Sequence, residues 1–306
     1  MGGDYIMNKI PVILDTDIGT DIDDTWALIM LINSPELDVK LITTVSGDTI
    51  YRAKIIAKIL KIAGKKIPIG IGIGDPKNSL NFQEPFVRDF DINSYEGEIY
   101  EDGIQAMVDL IKNSEEPITI VSIGPATNIA KAIEIYPDLP KKCNFVGMHG
   151  SIYKGYGGKD GRDPEANVKS DVLSLRRVFS SNFISKLITP LDTCGLVFLD
   201  GERYKKIYNS EKPILKALIE NYKIWAKLVT WTKVDSENHS STLFDTVAVY
   251  LAYSHEFLEI EPIKIKVTDD GYTVPDEKGD EILVAIRWKD LNAFLDHLVE
   301  RLMGEE

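Results

Sequence analysis

Short apolar runs alternate with amphipathic stretches along the first two thirds of the chain. The apolar runs have the length of strands, and the amphipathic stretches repeat their apolar residues at helical spacing. The pattern predicts strands at 10–14, 39–45, 67–71, 118–123, 145–148 and 184–188, and helices at 24–33, 49–63, 102–112, 126–135 and 172–180. Because strands that alternate with helices pair in parallel, we expect an α/β fold, an open and mainly parallel sheet with helices on both faces.

The last third of the chain is organised differently. It predicts helices at 213–231, 244–253 and 288–303, strands at 263–267 and 282–286, and a polar connection at 268–279. Two earlier stretches without periodicity, 74–100 and the glycine-rich 149–168, predict long surface loops of the kind that often carry function. Since no linker or internal repeat divides the chain, we expect residues 1–306 to form a single domain, with residues 1–8 as a disordered or artificial N-terminal segment.

Composition and charge exclude several classes of function. The 306 residues are 44% hydrophobic, which is ordinary for a globular protein, and the formal net charge is −13. A surface this acidic argues against nucleic-acid binding and against docking on anionic membranes. No apolar run is long enough to span a bilayer, and two cysteines, Cys143 and Cys194, favour a reducing compartment. We therefore expect a cytoplasmic protein whose partner is a small molecule.

Aspartates crowd the segment that follows the first predicted strand. Five of them fall within ten residues: Asp15, Asp17, Asp21, Asp23 and Asp24. Ligands of open α/β sheets bind beyond the carboxyl ends of the strands, which is where this segment begins. Carboxylates this close repel one another unless a cation or hydrogen-bond donors offset their charge, and oxygen ligands select a hard cation such as Ca²⁺ or Mg²⁺. The segment therefore predicts a cation site, with a solvated acidic loop and a helix-capping aspartate as the alternative.

Two other interpretations of the acidic segment fit less well. An EF-hand loop beginning at Asp15 would need glycine at its sixth position and glutamate at its twelfth, and the chain has neither. The run Asp15-Thr16-Asp17 after a strand resembles the aspartyl nucleophile motif of haloacid-dehalogenase-type phosphatases, which transfer phosphoryl groups covalently. Ile18 interrupts that motif, and the motif leaves the two later aspartates unexplained. Such a phosphatase is the alternative function.

The segment from Leu14 to Leu28 resembles the signature of the inosine–uridine preferring nucleoside hydrolase family, in its run Leu-Asp-Thr-Asp-Ile-Gly-Thr-Asp-Ile-Asp-Asp-Thr-Trp-Ala-Leu. Later segments resemble further elements of that family in the same order, at 45–48, 122–130, 165–171 and 244–248. The resemblance implies a Rossmann-like nucleoside hydrolase fold. It also implies a Ca²⁺-dependent N-glycosidase of purine and pyrimidine salvage, which cleaves ribonucleosides to ribose and a free base. By the same analogy we expect a homodimer or homotetramer.

The resemblance implies roles for individual residues. Calcium would be bound by the carboxylates of Asp17, Asp24 and Asp245 and by the backbone carbonyl of Ile123. Asp23 would be the catalytic base, which deprotonates a water bound to calcium. Glu165 and Asn167 would hold sugar hydroxyls. The other residues expected to bind the substrate are Asp48, His149, Trp231 and Phe244.

The chain also departs from the family pattern. The loop before Asp23 is two residues longer than the short form of the family, so Asp21 has no assigned role. Phe244 stands where the nonspecific branch of the family has a histidine that protonates the leaving base. The leaving-group acid is therefore unidentified, and His149 and His239 are candidates by location only.

Two aromatic residues bear on which base is bound. Phe244 precedes the expected ligand Asp245, and Trp231 ends a predicted helix, so both rings are expected beside the sugar and its base. An aromatic residue at position 244 resembles the purine-specific branch of the family, in which the base is stacked between aromatic rings. The resemblance implies a preference for purine ribosides such as inosine, since stacking can make the base more basic and let solvent protonate it without a side-chain acid. The alternatives are that both aromatics are core residues, that Asp245 caps its helix, and that the protein binds ribosides without cleaving them.

Overall fold

The computed structural model of the protein describes residues 9–304, so the expected N-terminal segment 1–8 lies outside the described residues. Within that range one sheet contains ten strands: β1 (Ile10–Thr16), β2 (Leu37–Thr44), β3 (Ile69–Ile71), β4 (Ile99–Tyr100), β5 (Ile118–Ser122), β6 (Cys143–Met148), β7 (Ser185–Thr189), β8 (Leu258–Val267), β9 (Thr273–Pro275) and β10 (Asp280–Trp288). Their order across the sheet is β4-β3-β2-β1-β5-β6-β7-β10-β8-β9. All pairs from β4 to β10 are parallel, and β8 pairs antiparallel with β10 and β9. The predicted α/β fold with a mixed, mainly parallel sheet is confirmed.

Helices cover both faces of this sheet. They are α1 (Asp23–Asn33), α2 (Thr49–Ile62), α3 (Glu84–Val87), α4 (Gly103–Asn113), α5 (Thr127–Ile135), α6 (Ala166–Ser170), α7 (Val172–Ser180), α8 (Leu191–Cys194), α9 (Gly201–Tyr208), α10 (Pro213–Leu228), α11 (Phe244–Leu251) and α12 (Leu291–Met303). On β1, Val12 and Leu14 belong to one buried apolar cluster and Ile13 to the other. Successive strand residues face opposite sides of a sheet, so β1 is buried on both faces, which accounts for its continuous apolar run.

Several element boundaries differ from the sequence prediction. The helix predicted at 213–231 ends at Leu228, because Val229 leaves the helical region with a ψ of 139°. Trp231 therefore lies in the connection after α10. The loop predicted at 74–100 contains α3 and β4, the connection at 268–279 contains β9, and α8 and α9 have no counterpart in the prediction. Most of these elements are too short to give a periodic signal and are fixed by tertiary packing.

Two chain connections position the site. The acidic segment leaves β1 at the carboxyl edge of the sheet and runs directly into α1, which packs against α11. The loops after β5 and β6 end at the same edge, since these strands are parallel neighbours of β1 and of each other. Among residues 9–304, no helix combines the length and the apolar character needed to cross a lipid bilayer.

Candidate active site

A cavity of about 880 Å³ opens at the edge of the sheet where β1, β5 and β6 end. Buried carboxylates line one part of it, and more exposed aromatic side chains line another. Most of the residues proposed from the sequence meet here. They are Asp17, Asp23, Asp24, Ile123, Glu165, Asn167, Trp231, Phe244 and Asp245.

Three carboxylates form the most compact group in this cavity. Asp23, Asp24 and Asp245 are buried, and each contributes an oxygen that lies within 4.8 Å of the other two. The hydroxyl of Thr16 donates to Oδ1 of Asp24 at 2.5 Å, and the backbone N–H of Asp245 donates to Oδ2 of Asp23 at 3.3 Å. Asp23 and Asp24 lie in the first turn of α1, and Asp245 lies in the first turn of α11, where the helix dipole favours negative charge.

The chemistry of this group fits a hard divalent cation. Burial, followed by repulsion from neighbouring carboxylates, raises the pKa values of Asp23, Asp24 and Asp245 well above the ordinary range. A cation among these oxygens would favour their ionised forms and oppose the shift. The donors are carboxylate oxygens without a thiol or imidazole among them, which suits Ca²⁺ or Mg²⁺ better than a softer metal.

Asp17 and Ile123 line the same cavity but are not part of the compact group. The Asp17 side chain is partly exposed, in contrast to the three buried carboxylates. The carbonyl of Ile123 accepts a long hydrogen bond of 3.4 Å from the amide of Asn167. Both residues therefore line the cavity that contains the compact group.

The remaining two aspartates of the acidic segment differ from each other. Asp15 is fully buried and does not line the cavity, and its Oδ1 accepts from the Thr43 hydroxyl at 2.6 Å and the Asn128 amide at 2.7 Å. Burial raises its pKa to about 7. Asp21 lines the cavity, its Oδ1 accepts from the N–H of Ile22 at 2.7 Å, and burial raises its pKa to about 6. A phosphatase nucleophile at Asp15 would need access to its substrate, and the burial of Asp15 argues against that alternative.

Glu165 and Asn167 reach the cavity from the loop after β6. The Glu165 carboxylate caps α6 and accepts three backbone hydrogen bonds, from Asn167 at 2.7 Å, Gly150 at 3.0 Å and Val168 at 3.2 Å. Burial raises the pKa of Glu165 to about 7 despite these donors. The Asn167 amide donates to the Met148 carbonyl at 3.1 Å, which leaves its side-chain oxygen as the acceptor. Glu165 thus fixes the backbone that presents Asn167.

Aromatic side chains line the cavity near the start of α11. Phe244 packs edge-on against Tyr156, with ring centroids 6.1 Å apart. Trp231 is 51% exposed and packs edge-on against Phe82 at 5.2 Å and Trp225 at 6.3 Å. Its exposure is inconsistent with the alternative that Trp231 is a core residue.

Sequence reasoning missed three aromatics that line the cavity: Trp225, Tyr156 and Phe198. Trp225 lines the cavity from α10, and its indole donates to the carbonyl of Thr20 at 3.0 Å. Tyr156 lines it from the glycine-rich loop, and its hydroxyl accepts from the N–H of Ala166 at 3.0 Å. Because Trp225 follows Tyr222 at helical spacing on the buried side of α10, the sequence pattern does not separate it from a core residue.

Two residues predicted to bind substrate are not among those that line the cavity. Asp48 is the N-cap of α2, and its carboxylate accepts from the N–H of Tyr51 at 3.0 Å. His149 is fully buried, with its Nε2 3.2 Å from the carbonyl of Gly124, and burial lowers its pKa to about 4. A position at the end of a strand places a residue at the correct edge of the sheet. It does not determine whether the side chain reaches the cavity or is buried below the surface. His239, the other histidine candidate, does line the cavity.

Two further aspartates are placed by helix bounds and by hydrogen bonds. Asp245 does not cap α11, because Leu243 is the N-cap residue and Asp245 lies within the first turn. The Asp192 carboxylate accepts from the backbone N–H groups of residues 152, 153 and 154 at 2.7 to 3.0 Å. These bonds anchor the start of the loop that carries Tyr156.

Comparisons with known proteins agree with the fold. The family model described as inosine-uridine preferring nucleoside hydrolase matches residues 12–296. The chain is 28% identical over 228 residues to the non-specific ribonucleoside hydrolase RihC of Klebsiella pneumoniae, covering 70% of this chain and 73% of that protein. It is 26% identical over 327 aligned positions to the pyrimidine-specific ribonucleoside hydrolase RihA of Escherichia coli, covering 96% and 98%.

Solved structures show the same fold at lower identity. A plant nucleoside hydrolase, PpNRh1, superposes with a TM-score of 0.79 at 20% identity, covering 96% of this chain and 99% of that one. The inosine-uridine preferring nucleoside hydrolase of Bacillus anthracis superposes with a TM-score of 0.78 at 18% identity, with the same coverage. At these identities the likeness concerns the fold alone.

Proposed function

The chain belongs to the inosine-uridine preferring nucleoside hydrolase family, and from this membership we propose that it is a Ca²⁺-dependent enzyme that cleaves ribonucleosides to ribose and a free base. Members of the family are N-glycosidases, and this chain is one. The observation that carries the cation dependence is the compact group of Asp23, Asp24 and Asp245 in the cavity. Family membership also supports our proposals of a role in nucleoside salvage and of a homodimer or homotetramer.

The cation site that we propose uses oxygens from three parts of the chain. Asp24 and Asp245 would hold the cation at the compact group, with Asp17 and the carbonyl of Ile123 completing the protein ligands. A bound divalent cation supplies electrophilic polarisation, which makes a nearby water more acidic and fixes the vicinal hydroxyls of a sugar. The all-oxygen set leaves room for such hydroxyls, because Ca²⁺ takes six to eight oxygens.

Asp23 is the base in this proposal. Its Oδ2 accepts a weak hydrogen bond of 3.3 Å from the N–H of Asp245, and a carboxylate so bonded retains lone pairs for the proton of the attacking water. The water attacks the anomeric carbon as the bond from sugar to base breaks. Asn167 orients the sugar through its free amide oxygen, and Glu165 acts by holding the backbone on which Asn167 lies.

For the aglycone we propose a purine that packs against aromatic rings. Phe244 adjoins the ligand Asp245, and Trp231 exposes half of its surface at the same cavity. A purine offers the larger face for such contacts, and its ring nitrogen can take a proton from solvent as the base leaves. His239 is the side chain that could replace solvent in this step, because it lines the cavity and His149 does not.

A panel of substrates tests the function. The protein is incubated with inosine, uridine and p-nitrophenyl phosphate in Ca²⁺, and the products are separated by chromatography. We expect free base from the nucleosides, with inosine preferred, and no phosphate from the ester. Phosphate release without base release would favour the phosphatase, and binding of nucleosides without any product would favour a non-catalytic riboside-binding protein.

A further inference from the structure

The acidic loop between β1 and α1, residues 17–22, contains no helix or strand. Its backbone carbonyls nevertheless accept hydrogen bonds from side chains elsewhere in the chain. Five successive carbonyls, those of residues 17 to 21, each accept a hydrogen bond from a side chain. The donors are Arg52 to residues 17 and 18, Tyr51 to 19, Trp225 to 20 and Gln83 to 21. We call these four residues the loop cradle. Loop carbonyls usually bond to water, so a complete set of side-chain donors is unusual.

Arg52 is the centre of the loop cradle. Its side chain is 2% exposed, and it donates to the Ile18 carbonyl at 2.8 Å, the Thr20 hydroxyl at 3.0 Å and the Ser46 carbonyl at 2.7 Å, in addition to the carbonyl of Asp17. Ser46 has a φ of 64°, a left-handed conformation that is costly for a residue with a side chain. Arg52 therefore ties the loop after β1 to the strained turn after β2.

The charge of Arg52 has no carboxylate partner among the described residues, because its hydrogen bonds go to carbonyl and hydroxyl oxygens. Burying an unpaired guanidinium costs free energy, and this cost needs a compensating interaction. The buried carboxylates of the acidic segment provide one at longer range. Burial raises the pKa values of Asp17 and Asp24, and the charge of Arg52 opposes that rise.

The other members of the cradle are joined to one another. The Tyr51 hydroxyl accepts from the N–H of Gln83 at 2.9 Å while donating to the carbonyl of Gly19 at 3.0 Å. Oε1 of Gln83 accepts from the Asn221 amide at 2.6 Å and the Thr25 hydroxyl at 3.2 Å. Helices α1, α2 and α10 and the segment before α3 thus meet in one buried network around the acidic loop.

We propose that Arg52 is a positioning residue that holds the acidic loop in its cation-binding shape before the cation arrives. This inference rests on the cation site of the proposed function. Like charges on Asp17, Asp21, Asp23 and Asp24 would otherwise drive the loop towards open conformations, and a ligand would then have to restore the closed one at the expense of affinity. The cradle removes this cost by fixing the backbone from which these carboxylates project.

Two roles of Arg52 predict opposite effects on cation affinity. If Arg52 acted only through its charge, its removal would eliminate a repulsion and Ca²⁺ would bind more tightly. If Arg52 acts by positioning, its removal frees the loop and Ca²⁺ binds more weakly. Lysine keeps the charge but lacks the planar fork that reaches several oxygens, so Arg52→Lys separates the two effects.

The test measures Ca²⁺ affinity by calorimetry on the full-length protein after treatment with EDTA. We expect Arg52→Met and Arg52→Lys each to weaken Ca²⁺ binding by about tenfold, which corresponds to the loss of charged hydrogen bonds. Arg176→Met is the matched control, because Arg176 also donates to a backbone carbonyl, that of Val267 at 2.8 Å, but does not line the cavity. Unchanged or tighter binding in Arg52→Met would overturn the proposal.

A second variant applies if the Arg52 variants do not fold. Tyr51→Phe removes the hydroxyl that donates to Gly19 and accepts from Gln83, and we expect it to weaken Ca²⁺ binding by about threefold and to lower kcat while KM for inosine changes little. Wild-type affinity and kcat in this variant would overturn the proposal. Base release by the wild type is measured in parallel: if the wild type neither binds Ca²⁺ nor releases base, the proposed function itself fails.

Discussion

At the residue scale, two carboxylates compete for the role of base. Asp23 belongs to the compact group and accepts a backbone hydrogen bond at 3.3 Å. Asp17 lies outside that group and is the more exposed of the two. A base must reach a water, whereas a ligand must reach the cation, and a carboxylate at the edge of the group could do either. Variants at both positions therefore show which carboxylate is the base and which is a cation ligand.

Asp23→Asn keeps Ca²⁺ and riboside binding and lowers kcat by at least about 100-fold, because a general base acts in the transition state and adds little to ground-state affinity. Stopped and steady-state assays of base release, together with calorimetry for Ca²⁺, check this expectation. Asp17→Asn is the comparison and should weaken Ca²⁺ binding. If Asp23→Asn instead lost Ca²⁺ and Asp17→Asn lost only turnover, the two roles would be exchanged.

Phe244→Ala lowers kcat/KM for inosine about fivefold more than for uridine, since an aromatic contact with a purine contributes on the order of 1 kcal/mol beyond burial. Phe198→Ala is a matched variant, because Phe198 also lines the cavity but does not adjoin Asp245. Competition between the two nucleosides in one reaction measures the ratio. An unchanged ratio in Phe244→Ala, or a wild type that prefers uridine, would contradict stacking on a purine.

Whether the sequence predicts the position of a site residue correctly depends on whether motif order or side-chain packing determines that position. Four of the five aspartates of the acidic segment, together with Ile123 and Asp245, line the cavity because motif order and strand ends are properties of the chain itself, whereas Asp15 is buried outside it. Asp48 and His149 also follow strands, yet one caps a helix and the other is buried away from the cavity. The difference arises from side-chain depth and rotamer, which follow from packing that the sequence pattern does not encode.

At the element scale, α2 shows how a predicted site residue can have a local role. The Asp48 carboxylate accepts from the N–H of Tyr51 and caps the helix that carries Tyr51 and Arg52. Asp48→Ala lowers the free energy of unfolding by about 1 kcal/mol through loss of the cap, and leaves KM for inosine unchanged. Urea unfolding and steady-state kinetics measure both quantities. Asp48→Asn should retain most of the stability, and a raised KM in either variant would restore Asp48 to the substrate site.

Helices with a clear periodic signal were predicted closely. The helix predicted at 49–63 is found as α2 (Thr49–Ile62), and that at 172–180 is found as α7 with the same bounds. In contrast, β9 has three residues and, within residues 9–304, pairs with β8 alone, so it depends on a partner strand rather than on its own pattern. The end of α10 at Leu228 places Trp231 on a connection, and this explains why its ring is exposed at the cavity.

At the scale of the whole molecule, buried carboxylates make stability depend on pH and on the cation. Burial raises the pKa values of Asp15 and Glu165 to about 7 and of Asp21 to about 6. The folded state therefore binds more protons than the unfolded state between about pH 4 and pH 7. The stabilisation from these protonated groups is complete below about pH 4 and is lost as the pH rises through their folded-state values.

In EDTA, the free energy of unfolding should therefore fall as the pH rises from about 5 to 7.5. Added Ca²⁺ should stabilise the protein most at the upper end of this range, because its ligands must lose their protons to bind. Urea unfolding across this pH range gives the free energy of unfolding as a function of pH, once in EDTA and once in Ca²⁺. If Ca²⁺ raised the free energy of unfolding by the same amount at every pH, or not at all, a cation site built from these carboxylates would be contradicted.

The fold as a whole was the most predictable level. Strands buried on both faces give continuous apolar runs, and their alternation with helices leaves few topologies other than a mainly parallel sheet. The antiparallel edge made by β8 and β9 is less visible in the sequence, because it follows from pairing with β10. The loop cradle is less predictable still, since its four members come from three separate parts of the chain.

The central claim is that the buried carboxylates of this cavity bind a cation that is required for glycosidic cleavage. The most direct test removes divalent cations with EDTA, restores Ca²⁺ stepwise, and follows the release of hypoxanthine from inosine by the wild type and by Asp24→Asn. The account predicts no release in EDTA, a saturable rise with Ca²⁺ in the wild type, and a midpoint shifted to higher Ca²⁺ in Asp24→Asn. Release that persists in excess EDTA, or the same midpoint in both proteins, would contradict it.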